Sequence, residues 1–135
     1  MTPVLYILMR NDLDSLNPGK AMAQASHASN AFVSNAEPGY NVDEELFNDW
    51  QQSTTQGFGT VLVLAVNEAQ MRTAVMVAES FGVDKFPCDI IHDPTYPIVD
   101  GDIVHHVPLD TCAYVFGDKE DPLLASILQN FPLHS

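Results

Sequence analysis

The chain has 135 residues, 46% of them hydrophobic, and its 18 acidic against 5 basic residues give a formal charge of −13. That length suits one domain spanning residues 1–135 with room for a real core, and no apolar run is long enough to cross a membrane. The charge excludes a broad basic surface of the kind nucleic-acid binders present, so any polyanion contact must be local and short in range.

Met1 to Met9 has no basic leader and its apolar stretch stops at Arg10, so a secretory signal is not expected and a cytoplasmic, reducing setting is the default. Val4 to Met9 is continuously apolar and β-prone, as in a strand covered on both faces. A helix is predicted from Pro18 to about Ser34, with Asn17 as N-cap, Pro18 at the first helical position and Gly19 keeping the backbone approachable. At about 100° per residue, Ala21, Ala25, Ala28 and Phe32 form an apolar stripe, and Lys20, Gln24 and His27 line a neighbouring exposed edge.

Asn35 to Asn41 is a turn segment. Asp43 caps a second, acidic helix to about Ser53, and its Leu46, Phe47 and Trp50 share a face, so Trp50 is expected to pack on the domain. Thr60 to Val66 reads as a second strand of the fully buried type. Asn67 caps a third helix through Phe81, ended by Gly82, with Met71, Ala74, Val75, Ala78 and Phe81 at helical spacing and its methionines in the core.

Pro87 to His92 and Thr111 to Phe116 are predicted as strands three and four, and Asp121-Pro122 opens a short helix through Leu128, closed by Pro132. Between those strands, Asp100-Gly101 suits a tight turn joining Ile98-Val99 to Ile103-Val104, and the rest of Val99 to Asp110 reads as a solvated loop with surface histidines. A metal site from His92, Asp93, Asp100, Asp102 and His105 is the other reading of this stretch. The adjacent His105 and His106 point to opposite faces of a strand, however, and no metal is expected. Cys88 and Cys112 fall in separate strands and read as reduced core residues, without Cys-based metal spacing. The element order β-α-α-β-α-β-β-α predicts an α/β fold, three layers α/β/α on a small mixed four-stranded sheet.

Two places carry chemistry. The helix start offers free N–H groups beside Lys20, which suits a phosphate or an oxyanion; a Lys, Gln and His stripe is otherwise an ordinary solvated helix face. Asp93, where the third strand is expected to end, is placed to face Lys20 and His27 across a cleft, because α/β sheets bind ligands where strand ends meet helix starts.

The run from Arg10 to Ala28 resembles the signature of the type 2 peptidyl-tRNA hydrolase family, in which a strand ending in Arg-x-Asp-Leu is followed by Gly-Lys-x-Ala-x-Gln-x-x-His-Ala. Arg10, Asp12, Leu13, Gly19, Lys20, Ala23, Gln24, His27 and Ala28 fill those places in order. Asp93 matches the Asp of the family's Asp-Ala-Gly-Arg-Thr segment, whereas Pro94-Thr95-Tyr96-Pro97 lacks its Gly, Arg and Thr. Thr111 fits the Thr that opens the family's last strand. The resemblance implies the same fold, and an enzyme that hydrolyses the ester of peptidyl-tRNA to peptide and free tRNA by direct attack of water, with no cofactor and with a homodimer as the family expectation.

On that reading the catalytic set is Lys20, His27, Asp93 and Thr111, and Arg10, Asn17, Gly19 and Gln24 bind substrate. Lys20 stabilises the oxyanion or holds a phosphate, and Asp93 orients water. His27 and Gln24 organise hydrogen bonds or position the substrate, and Thr111 adds a hydroxyl contact. Arg10 and Lys20 then form a small positive spot in an acidic shell. The charge, the missing arginine and the additional residues before Thr111 also suit two other functions. One is a non-catalytic binding or inhibitory protein with a protein partner; the other is hydrolysis of a smaller nucleotide-linked ester.

Overall fold

The first apolar segment is a strand because each of its faces meets a helical layer. In the computed structural model, which describes residues 1–135, Leu5, Ile7 and Met9 of β1 (Pro3–Arg10) point into one core and Val4, Tyr6 and Leu8 into another. The first core is closed by α1 (Pro18–Asn35) and α2 (Glu44–Gln51), and the second by α3 (Glu68–Glu79) and α4 (Pro122–Leu128). With β2 (Val61–Val66), β3 (Cys88–Asp100) and β4 (Ile103–Asp118), the sheet runs β2-β1-β4-β3. β1 pairs parallel with β2 and antiparallel with β4, and β3 pairs antiparallel with β4. The fold is therefore α/β with three layers and a mixed sheet, in the predicted element order.

The helices start where their caps dictate. Asn17, Asp43, Asn67 and Asp121 each accept a backbone N–H of the following turn, and Gln70 completes a capping box with Asn67. Phe32 anchors α1 in the first core, its ring centroid 5.6 Å from Phe47, 5.5 Å from Trp50 and 4.7 Å from Phe116. Trp50 packs on the body of the protein as expected and donates its indole N–H to the Thr60 carbonyl at 2.8 Å. Gly59 passes so close that a Cβ would stand 2.3 Å from the Trp50 carbonyl oxygen, so no larger residue fits.

Three expectations are corrected. β2 is a partly exposed edge strand, not a fully buried one, and the chain end lies along its margin: the Ala65 N–H donates to Pro132, and the His134 N–H to Val63. In α3 Met71 is buried, but Met76 is 65% exposed and Phe81 beyond the helix is 41% exposed. Cys88 and Cys112, by contrast, are free and in separate strands as expected; they sit on opposite faces of the sheet, and burial pushes both thiols up to about 12, so neither is ionised at neutral pH.

The largest correction concerns residues 93–110: the expected tight turn between Ile98-Val99 and Ile103-Val104 is present, but the rest, expected as loop, continues the pairing, so the whole segment is the outer half of a long β3–β4 hairpin. Its pairing runs from Tyr96↔Val107 to Asp100↔Ile103, and its turn is Gly101-Asp102, one residue later than expected, with Gly101 at φ +60°. The register slips between Ile91 and His92 and again between Asp93 and Tyr96. Pro94 has no N–H for the ladder, so the strand steps aside there and resumes.

Candidate active site

α1 crosses the sheet so that one polar edge of the helix lies against β3 and β4. Gln24 belongs to that edge, and it is 3% exposed instead of facing solvent. Its Oε1 accepts the Thr111 hydroxyl at 2.7 Å and its Nε2 donates to Asp93 Oδ2 at 2.7 Å. A carboxylate only accepts, so this chain of bonds fixes which way the amide points. The other oxygen of Asp93 accepts the Thr95 N–H at 2.9 Å, inside the bulge. Partial burial works to raise the Asp93 pKa, but the bonds from Gln24 and Thr95 and the nearby His27 outweigh it, and the net shift is downward. Asp93 is thus an anion at neutral pH with both oxygens oriented.

His27, one turn beyond Gln24, is exposed and shares with Asp93 a cleft of about 430 Å³, also lined by Ala31, Asp89, His92 and Thr95. Lys20, one turn before Gln24, does not line that cleft. Its ammonium donates to the Pro97 carbonyl at 2.8 Å and lies over the Tyr96 ring, 5.2 Å from the centroid. Lys20 and Asp93 therefore stand on the same α1–β3 seam, each with its own partner. Asn17 and Gly19 are exposed at the helix start, where the Asn17 side chain accepts the Lys20 N–H at 2.9 Å.

Three residues expected at the substrate surface lie behind it. Thr111 is fully buried in the middle of β4, not at its opening, and its hydroxyl is committed to Gln24; Gln24 is itself covered. Arg10 is 7% exposed and is neutralised: it pairs with Asp12 at 2.9 Å and Glu68 at 3.3 Å and donates to the Asp110 carbonyl at 3.0 Å. The expected positive spot is reduced to Lys20. Arg72 is held by Glu68 and Asp110, and Lys85 by Asp121, so among the basic side chains only Lys20 and Lys119 lack a carboxylate partner.

Asp110, the residue before Thr111, joins these groups. It accepts from Arg72 at 2.8 Å and bonds His92 Nδ1 at 2.8 Å, and its main chain receives Arg10. The histidines and aspartates of the hairpin are spread along its length, and no group of three or more His, Cys, Asp or Glu is placed to hold a metal.

Hydrogen bonds from Arg10 hold the Asp12 carboxyl below its ordinary range, and those from Arg72 and His92 do the same for Asp110. A depressed folded-state pKa contributes stability above the unfolded value that is lost as pH falls through the folded one. The thermal midpoint is therefore expected to drop steeply below about pH 4, and Asp110→Asn to flatten that drop in unfolding curves recorded from neutral to acid pH. An equally steep drop in the variant would deny Asp110 its share.

Sequence reasoning missed Tyr96, Asp110 and Glu68. The only signal for Tyr96 was negative, since it lies where the segment departs from the family pattern.

The fold and these side chains define an α/β protein whose first helix and outer hairpin bring a free ammonium and an oriented carboxylate to one seam. A family model, peptidyl-tRNA hydrolase PTH2, matches residues 3–115, and the chain belongs to that family. Comparison with curated proteins finds no match.

Proposed function

We propose that the protein hydrolyses the ester between a peptide's C-terminal carbonyl and the terminal ribose of tRNA, in the cytoplasm and as part of translation. The observation that carries this reading is the Thr111–Gln24–Asp93 chain of hydrogen bonds, with Lys20 one helical turn before Gln24 holding an ammonium that has no carboxylate partner. Asp93, ionised and aimed by Gln24 and Thr95, orients a water toward the ester carbonyl. Water oxygen bonds to the acyl carbon, the bond from that carbon to the ribose oxygen breaks, and the proton lost by water goes to the ribose oxygen. The negative charge that builds on the carbonyl oxygen is met by Lys20. His27 and the helix start at Asn17 and Gly19 face the substrate. Gln24 and Thr111 act behind Asp93, and Arg10 fixes the exit of β1 against β4 and α3, so these three are positioning residues.

The neutralised Arg10, Arg72 and Lys85 favour a second reading, in which a smaller nucleotide-linked ester is the better substrate. Peptide release from an N-blocked aminoacyl-tRNA tests the first. With Arg10, Arg72 and Lys85 already paired, the log–log slope of affinity against salt is expected to be no steeper than about −1, where a protein using several cations shows several times that. No release at any enzyme concentration, from this substrate or from an esterified mononucleotide, would remove both hydrolase readings and leave a binding protein. A faster reaction with an esterified mononucleotide would favour the second reading.

A further inference from the structure

We propose that Tyr96 is a positioning residue for Lys20, and that the outer hairpin thereby sets where the substrate's developing charge is received. The proposal rests on the reading that Lys20 meets the substrate. Tyr96 has no exposed surface, although it lies in a hairpin whose tip is open to solvent at Val99, Ile103 and Val104. Its hydroxyl is bonded to Ser15 in the β1–α1 connection at 3.1 Å, which ties the hairpin to the segment leading into α1. Its ring lies beneath the Lys20 ammonium at 5.2 Å, within the range at which an aromatic face attracts a cation. The adjoining Pro97 carbonyl takes one ammonium proton at 2.8 Å, leaving two N–H groups for a ligand.

Ring and carbonyl constrain the long lysine stem differently. A lysine held only by a carbonyl pivots about one bond, whereas one that also rests on a buried ring face is confined to a small volume, and the ring is held chiefly by its complete burial, with Ser15 bonded to its hydroxyl in addition. Neither support uses a carboxylate, so the positive charge is fixed in place without being neutralised. No other cation on the chain combines a buried aromatic support with the absence of a carboxylate partner. Lys85 also lies over a ring, that of Phe86 at 5.3 Å, but is paired with Asp121.

The test uses the full chain and two variants, Tyr96→Phe and Tyr96→Leu, with proton–carbon NMR of the lysine side chains and steady-state hydrolysis of an N-blocked aminoacyl-tRNA. The chain has only the lysines at positions 20, 85 and 119, so their ε signals are resolvable. In the native protein the Lys20 ε protons are expected upfield, shifted by the ring; Tyr96→Phe keeps that shift and Tyr96→Leu abolishes it. In parallel, Tyr96→Leu is expected to lower kcat by about ten- to a hundredfold with KM changed far less, the cost of a misplaced group, and Tyr96→Phe to restore most of it. Ordinary Lys20 shifts in the native protein overturn the proposal, as does a folded Tyr96→Leu variant with native kcat. If Tyr96→Leu does not fold, the native spectrum and Tyr96→Phe still decide. If the native protein releases no peptide, the proposed reaction fails, while the Lys20 shifts still decide whether Tyr96 holds the ammonium.

Discussion

Lys20→Ala is expected to cut the rate of peptide release by about a hundred- to a thousandfold, the usual cost of deleting one group that stabilises an oxyanion. The fold should lose far less. Lys20 makes no ion pair with a carboxylate, its single acceptor is a main-chain carbonyl on a partly exposed strand that water can satisfy, and its one other contact is the Tyr96 ring. Losing these together costs about 1–2 kcal/mol, well below the effect on rate. Rate and stability therefore separate, which makes the variant a clean probe of function.

Asp93→Asn is the companion experiment, because an asparagine oxygen still accepts the Gln24 amide while the negative charge is gone. Single-turnover release with both variants, alongside denaturant unfolding, makes the comparison. A folded Lys20→Ala protein that cleaves at the native rate would end the assignment of this seam as the reactive site.

Phe32→Ala is expected to destabilise the protein by about 3–5 kcal/mol, the range for deleting a phenyl ring from a core. Phe32 is 2% exposed, and its ring lies against those of Phe47, Trp50, Tyr114 and Phe116. Edge-to-face and tilted ring pairs add specific attraction to the burial itself. The cavity would open between α1, α2 and β4, and these elements cannot close it because Trp50 is fixed at its N–H by Thr60 and jammed against Gly59.

Met22→Ala on the same helix provides the control: Met22 is 69% exposed and its loss should cost no more than about 0.5 kcal/mol. Urea unfolding of the two variants gives the contrast, and equal losses would mean that α1 is not held by its aromatic anchor. Because α1 also carries Lys20, Gln24 and His27, a loosened Phe32 variant should lose activity before it loses its fold.

Much of this architecture is visible in the sequence because local signals agree with one another. Asn17-Pro18, Asp43, Asn67 and Asp121-Pro122 announce helix starts by capping chemistry alone, and the unbroken apolar run of β1 announces a strand with two covered faces. The turn of the hairpin is legible at Asp100-Gly101, but its length is hidden because Pro94, Pro97 and Pro108 punctuate it and read as loop signals. The edge position of β2 is hidden too, since an apolar hexapeptide looks alike whether one neighbour flanks it or two.

At the site, the residue types on α1 were legible but their directions were not. Gln24 is polar and lies beside Lys20 on the helical wheel, so it reads as a surface residue. What lets it be buried is Thr111, 87 positions away. Arg10 is the same lesson in a charged residue: Asp12 is a near neighbour in sequence, but its other carboxylate, Glu68, comes from α3 and its carbonyl acceptor from β4.

The strip of chain from Phe131 to His134 bears on how copies of the protein meet at high concentration. By taking up the Ala65 N–H and the Val63 carbonyl, it partly covers one of the two margins along which a sheet recruits further strands. That leaves the β3 margin as the more open one, and two copies paired there edge to edge form a closed, two-fold pair.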